Sequence, residues 1–220
     1  MHFRKVSVWG NDAVGLFAET NDEITIIGEN AHRKFIDACK ALGTEMFQMS
    51  IGNSDLIGIY AVMNSNGIIL PPFVTKGEIN RVRKTGLNVY VIKSKYCAVG
   101  MNICANDKGG IVNQSVPLNE VKGISDCLGV EMERMSIAGY KTVGSCCVAT
   151  NRGAILHNNA SDEELRAVEG ILGVRSGIGT INMGIPFVAL GMIANSKGYV
   201  VGEGTSGFEM HRIDECLGFI

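Results

Sequence analysis

Seven cysteines, four histidines, one glycine-rich loop and one basic run are the residues of this 220-residue chain that could carry chemistry. Cys216, with His211 five residues before it, could pair a thiol nucleophile with a base. Cys146 and Cys147 are adjacent, so on a strand they point to opposite faces and at most one reaches a common site. No Cys-x-x-Cys pattern or paired histidine spacing points to a metal. Gly202-Glu203-Gly204-Thr205-Ser206-Gly207 matches the dinucleotide fingerprint between a strand and a helix, but only 13 residues follow it, too few for the next parallel strand and its ribose-binding acid. Arg81, Arg83, Lys84, Lys93 and Lys95 form the one basic concentration, either a solvated face or an electrostatic contact with RNA or an acidic partner.

The elements that must position these residues repeat. Gly43, Gly86, Gly129, Gly173 and Gly218 stand 43, 43, 44 and 45 residues apart, and a second ladder, Gly15, Gly58, Gly100, Gly144 and Gly191, runs out of phase with the first. A period of this length marks units that cannot bury their apolar faces alone. Each unit reads as an apolar strand running out of the second ladder and a turn at Asn21, Asn64, Asn106, Asn151 or Asn195, followed by a returning strand. Gly67, Gly109, Gly153 and Gly198 follow the turns and are expected to supply positive φ. A helix comes next, opened by capping boxes at Thr75/Glu78, Ser161/Glu164 and Ser206/Glu209 and stopped by the first glycine ladder, and then a last strand.

The repeat reassigns the candidate nucleophile. Cys39, Cys127 and Cys216 fall shortly before cap glycines on the apolar side of equivalent helices, where a thiol behaves as a small buried hydrophobe. His2, His32, His157 and His211 fall at unrelated repeat positions, which predicts surface or rim placement.

The fifth unit halts at Ile220 without its last strand, while Ser7 to Gly15 matches Ser136 to Gly144 at both glycines, the serine and the valine. The N-terminal segment is therefore expected to complete the fifth unit, closing a ring with no exposed sheet edge, a single domain over 1–220. A net charge of −2 disfavours a protein that holds nucleic acid chiefly by neutralising phosphates. No apolar run approaches the ~20 residues of a membrane span, and an odd number of thiols behind a start without a signal peptide suggests a cytoplasmic chain.

Met63-Asn64-Ser65-Asn66-Gly67-Ile68-Ile69-Leu70-Pro71, Ala105-Asn106-Asp107, Val143-Gly144-Ser145 with Thr150-Asn151-Arg152-Gly153, and Gly179-Thr180-Ile181-Asn182 resemble the translation initiation factor six family, ribosome anti-association factors of archaea and eukaryotes. The resemblance spans the chain in order. It implies the pentein fold, a closed five-bladed pseudosymmetric α/β propeller, and a monomer without cofactor, metal or catalysis that binds the large ribosomal subunit and keeps the small subunit away. Carried over, the subunit-facing residues follow the strand glycines: Leu16, Ile59, Met101, Ser145 and Met192. Ile59 and Met101 stand where eukaryotic members carry polar residues, and the eukaryotic C-terminal tail is absent, as in the archaeal form. The rival reading also comes from pentein resemblance: a guanidino-modifying enzyme with a cysteine nucleophile near the axis.

Overall fold

The computed structural model describes residues 2–220. Five three-stranded sheets stand around one axis: Ala18–Thr20, Ile24–Ile27 and Glu45–Gln48 (β2, β3, β4); Val62–Met63, Gly67–Leu70 and Asn88–Val91 (β5, β6, β7); Ile103–Ala105, Gly110–Asn113 and Met132–Met135 (β8, β9, β10); Cys147–Ala149, Gly153–His157 and Arg175–Gly179 (β11, β12, β13); and Met192–Ala194 and Tyr199–Gly202 (β14, β15) with Phe3–Val6 (β1). In each sheet the inner strand pairs antiparallel with the middle one through the asparagine hairpin, and the outer strand pairs parallel with the middle one. Helices follow the middle strands in all five units; in the first four they supply the crossover that a parallel pair needs, and in the fifth the outer strand comes from the other end of the chain. These are Arg33–Cys39 (α1), Lys76–Arg83 (α2), Leu118–Leu128 (α3), Asp162–Leu172 (α4) and Gly207–Leu217 (α5).

The N-terminal strand does complete the fifth sheet, with Phe3 opposite Tyr199 and Val6 opposite Gly202. The matched segments after the two outer strands share one backbone: Trp9 and Ala138 both have φ 51°, and Gly10 and Gly139 have 76° and 79°. Val6 and Val8 then enter a core cluster with Phe35, Ala38 and Leu42 of the first unit and Val200 of the fifth, so burial as well as pairing joins the two ends of the chain.

The ring closes by packing rather than by one continuous sheet. Short helical turns at Val14–Leu16, Ile57–Tyr60, Val99–Asn102, Val143–Cys146 and Val188–Leu190 touch in cyclic order, the fifth against the first, and the inner strands do likewise. The expectation of no sheet edge is therefore corrected, since every sheet ends in an outer strand. Those edges carry exposed charges, among them Arg4, Lys5, Glu45, Glu133, Arg134 and Arg175, which discourage a foreign strand from adding.

The first glycine ladder caps the helices as expected, with φ between 61° and 85° at all five residues. The second serves close approach. A Cβ at Gly58 would strike the carbonyl oxygen of Gly15, one at Gly100 that of Gly58, one at Gly144 that of Gly100, and one at Gly15 that of Ala189. These glycines lie in the helical turns, before the strands, and the fifth member of the set is Ala189 rather than Gly191. Gly191 packs instead on Asn182 and Ile181.

Gly67, Gly109, Gly153 and Gly198 also differ from expectation, because none has positive φ. Each lies against a backbone carbonyl near the end of the next unit's helix: Cys127, Ile171, Cys216 and Ala41. The side-chain amides beside them bind the ring together. Asn21, Asn64 and Asn106 donate to the backbone oxygens of Asn64, Asn106 and Thr150 at 2.9, 3.1 and 3.0 Å, and Asn195 donates to that of Asn21 at 2.9 Å. Asn64, Asn106 and Asn195 also reach the helix-end carbonyls of Leu128, Leu172 and Leu42. In the fourth unit Thr150, not Asn151, holds the equivalent place; Asn151 reaches across to Asp22 and Asp107 at 2.9 and 2.6 Å.

Candidate docking face

Chain direction sorts every connection to one of two ends. Middle and outer strands run away from the asparagine hairpins, and the helices run back toward them, so helix C-termini and cap glycines share the asparagine end. The opposite end collects the helix N-termini, the turns after the outer strands and the five helical turns. Lys108, Lys197 and Arg152 stand at the asparagine end and donate to the cap-glycine carbonyls of Gly173, Gly43 and Gly218, where a cation meets the negative helix terminus.

The large apolar side chains left in solvent occupy the other end. Trp9 (62% exposed), Met183 (78%), Ile185 and Tyr140 sit in turns after outer strands, Phe208 (83%) and Leu118 at helix N-termini, and Phe73 in the connection before α2. Ile220, beyond the last cap glycine, is the exception among the described residues. Scattered exposed apolar residues are ordinary, whereas here all but Ile220 share one end of the ring.

That surface is held in shape by glutamates with two tasks. Glu78, Glu164 and Glu209 complete the capping boxes of their own helices and also accept hydrogen bonds from the preceding unit's turn: Asn53 N at 3.2 Å, Ala138 N at 2.9 Å, and Met183 N and Gly184 N at 3.2 and 2.9 Å. Glu120 takes Lys93 N at 3.0 Å in the same way. Burial alone would raise Glu78 and Glu209, but the converging hydrogen bonds outweigh it and hold both carboxyls below the usual range. At the closing seam Phe35 replaces the glutamate; His32 caps α1 through Nδ1, and Trp9 packs edge-on against Phe17 and His32. Only the capping half of this device was visible from residue spacing.

The five carried-over residues separate. Leu16, Ile59 and Met101 are half-buried in the helical turns of the apolar end. Ser145 holds the same position but is buried, its hydroxyl donating to Thr142 O at 2.7 Å. Met192 does not belong to the set: it lies on inner strand β14, 3% exposed, and the half-buried Leu190 occupies the equivalent place. Gly191 misled the spacing because the fifth unit carries alanine in the packing position.

The basic run does not form one patch. Arg83 and Lys84 close α2 beside Gly86 at the asparagine end, while Lys93 and Lys95 follow β7 at the apolar end, separated by its four residues, about 13 Å. Arg81 is engaged with Glu29 at 3.2 Å and with the Gln48 carbonyl.

Cys39, Cys127 and Cys216 sit in settings that suppress the thiolate. Burial pushes Cys39 up to about 12 and Cys216 up to about 11, and raises Cys127, so the reactive thiolate is scarce in all three. His211 does not attend Cys216; it lies 3.6 Å from Glu215 on an exposed helix face. His157, expected at the surface, is buried between Tyr140 and Phe187, and its Nδ1 accepts from Asn159 N. The amides of the glycine-rich loop are already engaged, Glu203 N and Gly204 N donating to Asp12 at 3.1 and 3.0 Å. Among the described residues no group of three or more histidine, cysteine or acidic side chains is placed to hold a metal, and no helix is long and apolar enough to cross a membrane.

A family model described as the eIF-6 family matches residues 3–216. The chain belongs to the eIF-6 family. Translation initiation factor 6 of Pyrococcus horikoshii is 38% identical over 227 residues, covering all of both chains. The protein of the same name from Picrophilus torridus is 37% identical over 97% of this chain and 99% of its own, and that of Haloquadratum walsbyi 36% over 98% and 96%. Membership fits the five-unit α/β ring, whose repeats run through the whole matched span.

Proposed function

We propose that this chain acts in translation initiation as a monomeric cytoplasmic factor, binding the large ribosomal subunit through its apolar end and thereby keeping the small subunit from joining. The observation that carries the reading is the segregation of exposed apolar side chains to one end of the ring, supported by the relatives named above, which bear the name of an initiation factor. The contact centres on Leu16, Ile59 and Met101 around the axis, with Leu190 in place of Met192, and extends outward to Trp9, Met183 and Phe208. Lys93 and Lys95 stand at this end and add a phosphate or acidic contact; Arg83 and Lys84 face away. A face of this kind suits the roughly 1,200–2,000 Å² of a specific interface without any cleft. A 220-residue body has a radius of gyration of about 17 Å, enough to obstruct a second subunit sterically. No catalytic step, cofactor or metal is part of this function.

Sedimentation with separated subunits tests it. Co-migration with the large subunit and not the small, together with reduced joining on mixing, is the expected result. Equal binding to both subunits, or binding without an effect on joining, would overturn the reading.

A further inference from the structure

The ring axis holds a cavity of about 80 Å³ lined by residues of all five units, and a second chamber of about 20 Å³ extends it toward the asparagine end. The chambers share Thr20, Met63, Ala105, Ala149 and Ala194, one equivalent residue from each unit, so a collar of mostly apolar side chains lies between them. Glu19 lines the first chamber; Asp22 and Asp107 line the second. Among the described residues no lysine, arginine or histidine lines either one, and the remaining ionisable groups are the thiols of Cys104 and Cys147 on β8 and β11.

Glu19 breaks the symmetry of the repeat, because Val62, Cys104, Val148 and Ile193 hold its position in the other units. Protein encloses the carboxyl, and the accessible surface it keeps faces the cavity. One oxygen accepts from Met63 N at 3.2 Å, while the other has no protein donor among the described residues. Its free oxygen faces the cavity, and burial pushes the carboxyl up to about 8, so it holds its proton near neutrality. A cation at the free oxygen would recover the ionised form.

We propose that the axial channel binds a linear aliphatic amine, with a primary ammonium on the free oxygen of Glu19 and its methylene chain along the collar toward the second chamber, where Asn151 already bridges Asp22 and Asp107. A hard inorganic cation wants six or more oxygens at one point, and the collar, with three alanines and a methionine, provides methyl and thioether groups instead. This site is independent of the proposed docking function.

Calorimetric titration of the full chain with putrescine and with spermidine tests the site, alongside potassium chloride at matched charge. The expected result is one amine per chain, with up to one proton released on binding. As pH increases toward about 8, affinity should rise by up to about tenfold per unit, because the amine displaces the Glu19 proton. Glu19→Gln, which mimics the protonated side chain and keeps the Met63 contact, should fold normally and lose tenfold or more in affinity. Unchanged affinity in that variant, binding without proton release, or equal binding of potassium would overturn the proposal. Should the variant misfold, proton release from the wild-type chain, read with a pH indicator, decides by itself.

Discussion

Glu19 turns the axial cavity into a pH-dependent liability whose size follows from its surroundings. In the unfolded chain its carboxyl titrates at the ordinary value of 4.5; in the ring burial lifts it to about 8. The folded state thus holds the proton more tightly, so the contribution to stability is complete below pH 4.5 and is lost as pH rises through 8. Each pH unit between those values costs about 1.4 kcal/mol, giving a total of about 5 kcal/mol as an upper bound. Glu19→Gln has no proton to lose. Its advantage over wild type should therefore grow by about 2 kcal/mol between pH 6 and pH 8 and change little above pH 9. Urea unfolding of both proteins across that range, followed by circular dichroism, measures the difference directly. Two stability curves that stay parallel from pH 6 to pH 9 would refute the reasoning, since they would mean that Glu19 ionises in the folded ring as readily as in water.

Removing residues 1–10 should expose β15 and strip Val6 and Val8 from the closing core, so the shortened chain should aggregate or melt far below the full one; equal melting would show that β1 does not hold the ring closed. Gly58→Ala should cost several kcal/mol in denaturant titration, because the new methyl meets the rigid Gly15 carbonyl and not a movable side chain. Cys216→Ala should lose about 1–2 kcal/mol of stability while leaving subunit binding intact; lost binding in a well-folded variant would revive a role for the thiol. Met101→Glu should weaken large-subunit binding by about 2 kcal/mol or more, and Met183→Glu should do likewise with no change in melting, given that Met183 is 78% exposed; unaffected affinity in both would move the interface to another face.

The period, the closing role of the N-terminus, the capping boxes and the αL cap glycines were all legible in the sequence, because each is a local or repeated signal: a glycine every 43 to 45 residues, a Ser/Thr with a glutamate three positions on, a segment copied three periods away. The burial of Cys39, Cys127 and Cys216 was legible for the same reason, through equivalent helix positions. Contacts between units were not. The carry-over from the family resemblance included Met192 because Gly191 looked like the next rung, whereas the packing position belongs to Ala189 and only the turn-to-turn contact reveals it. The hairpin glycines looked like turn residues and proved to be sites where the next helix end approaches. The basic run looked continuous along the chain, yet β7 carries its two halves to opposite ends. Glu19 gave no signal at all, since one acid in an apolar strand acquires meaning only when five strands surround it. Composition and repeat pattern determined the unit and its number; which side chains meet across the axis and which end is apolar depended on closure, because those contacts join residues 42 or more positions apart and no local pattern encodes them.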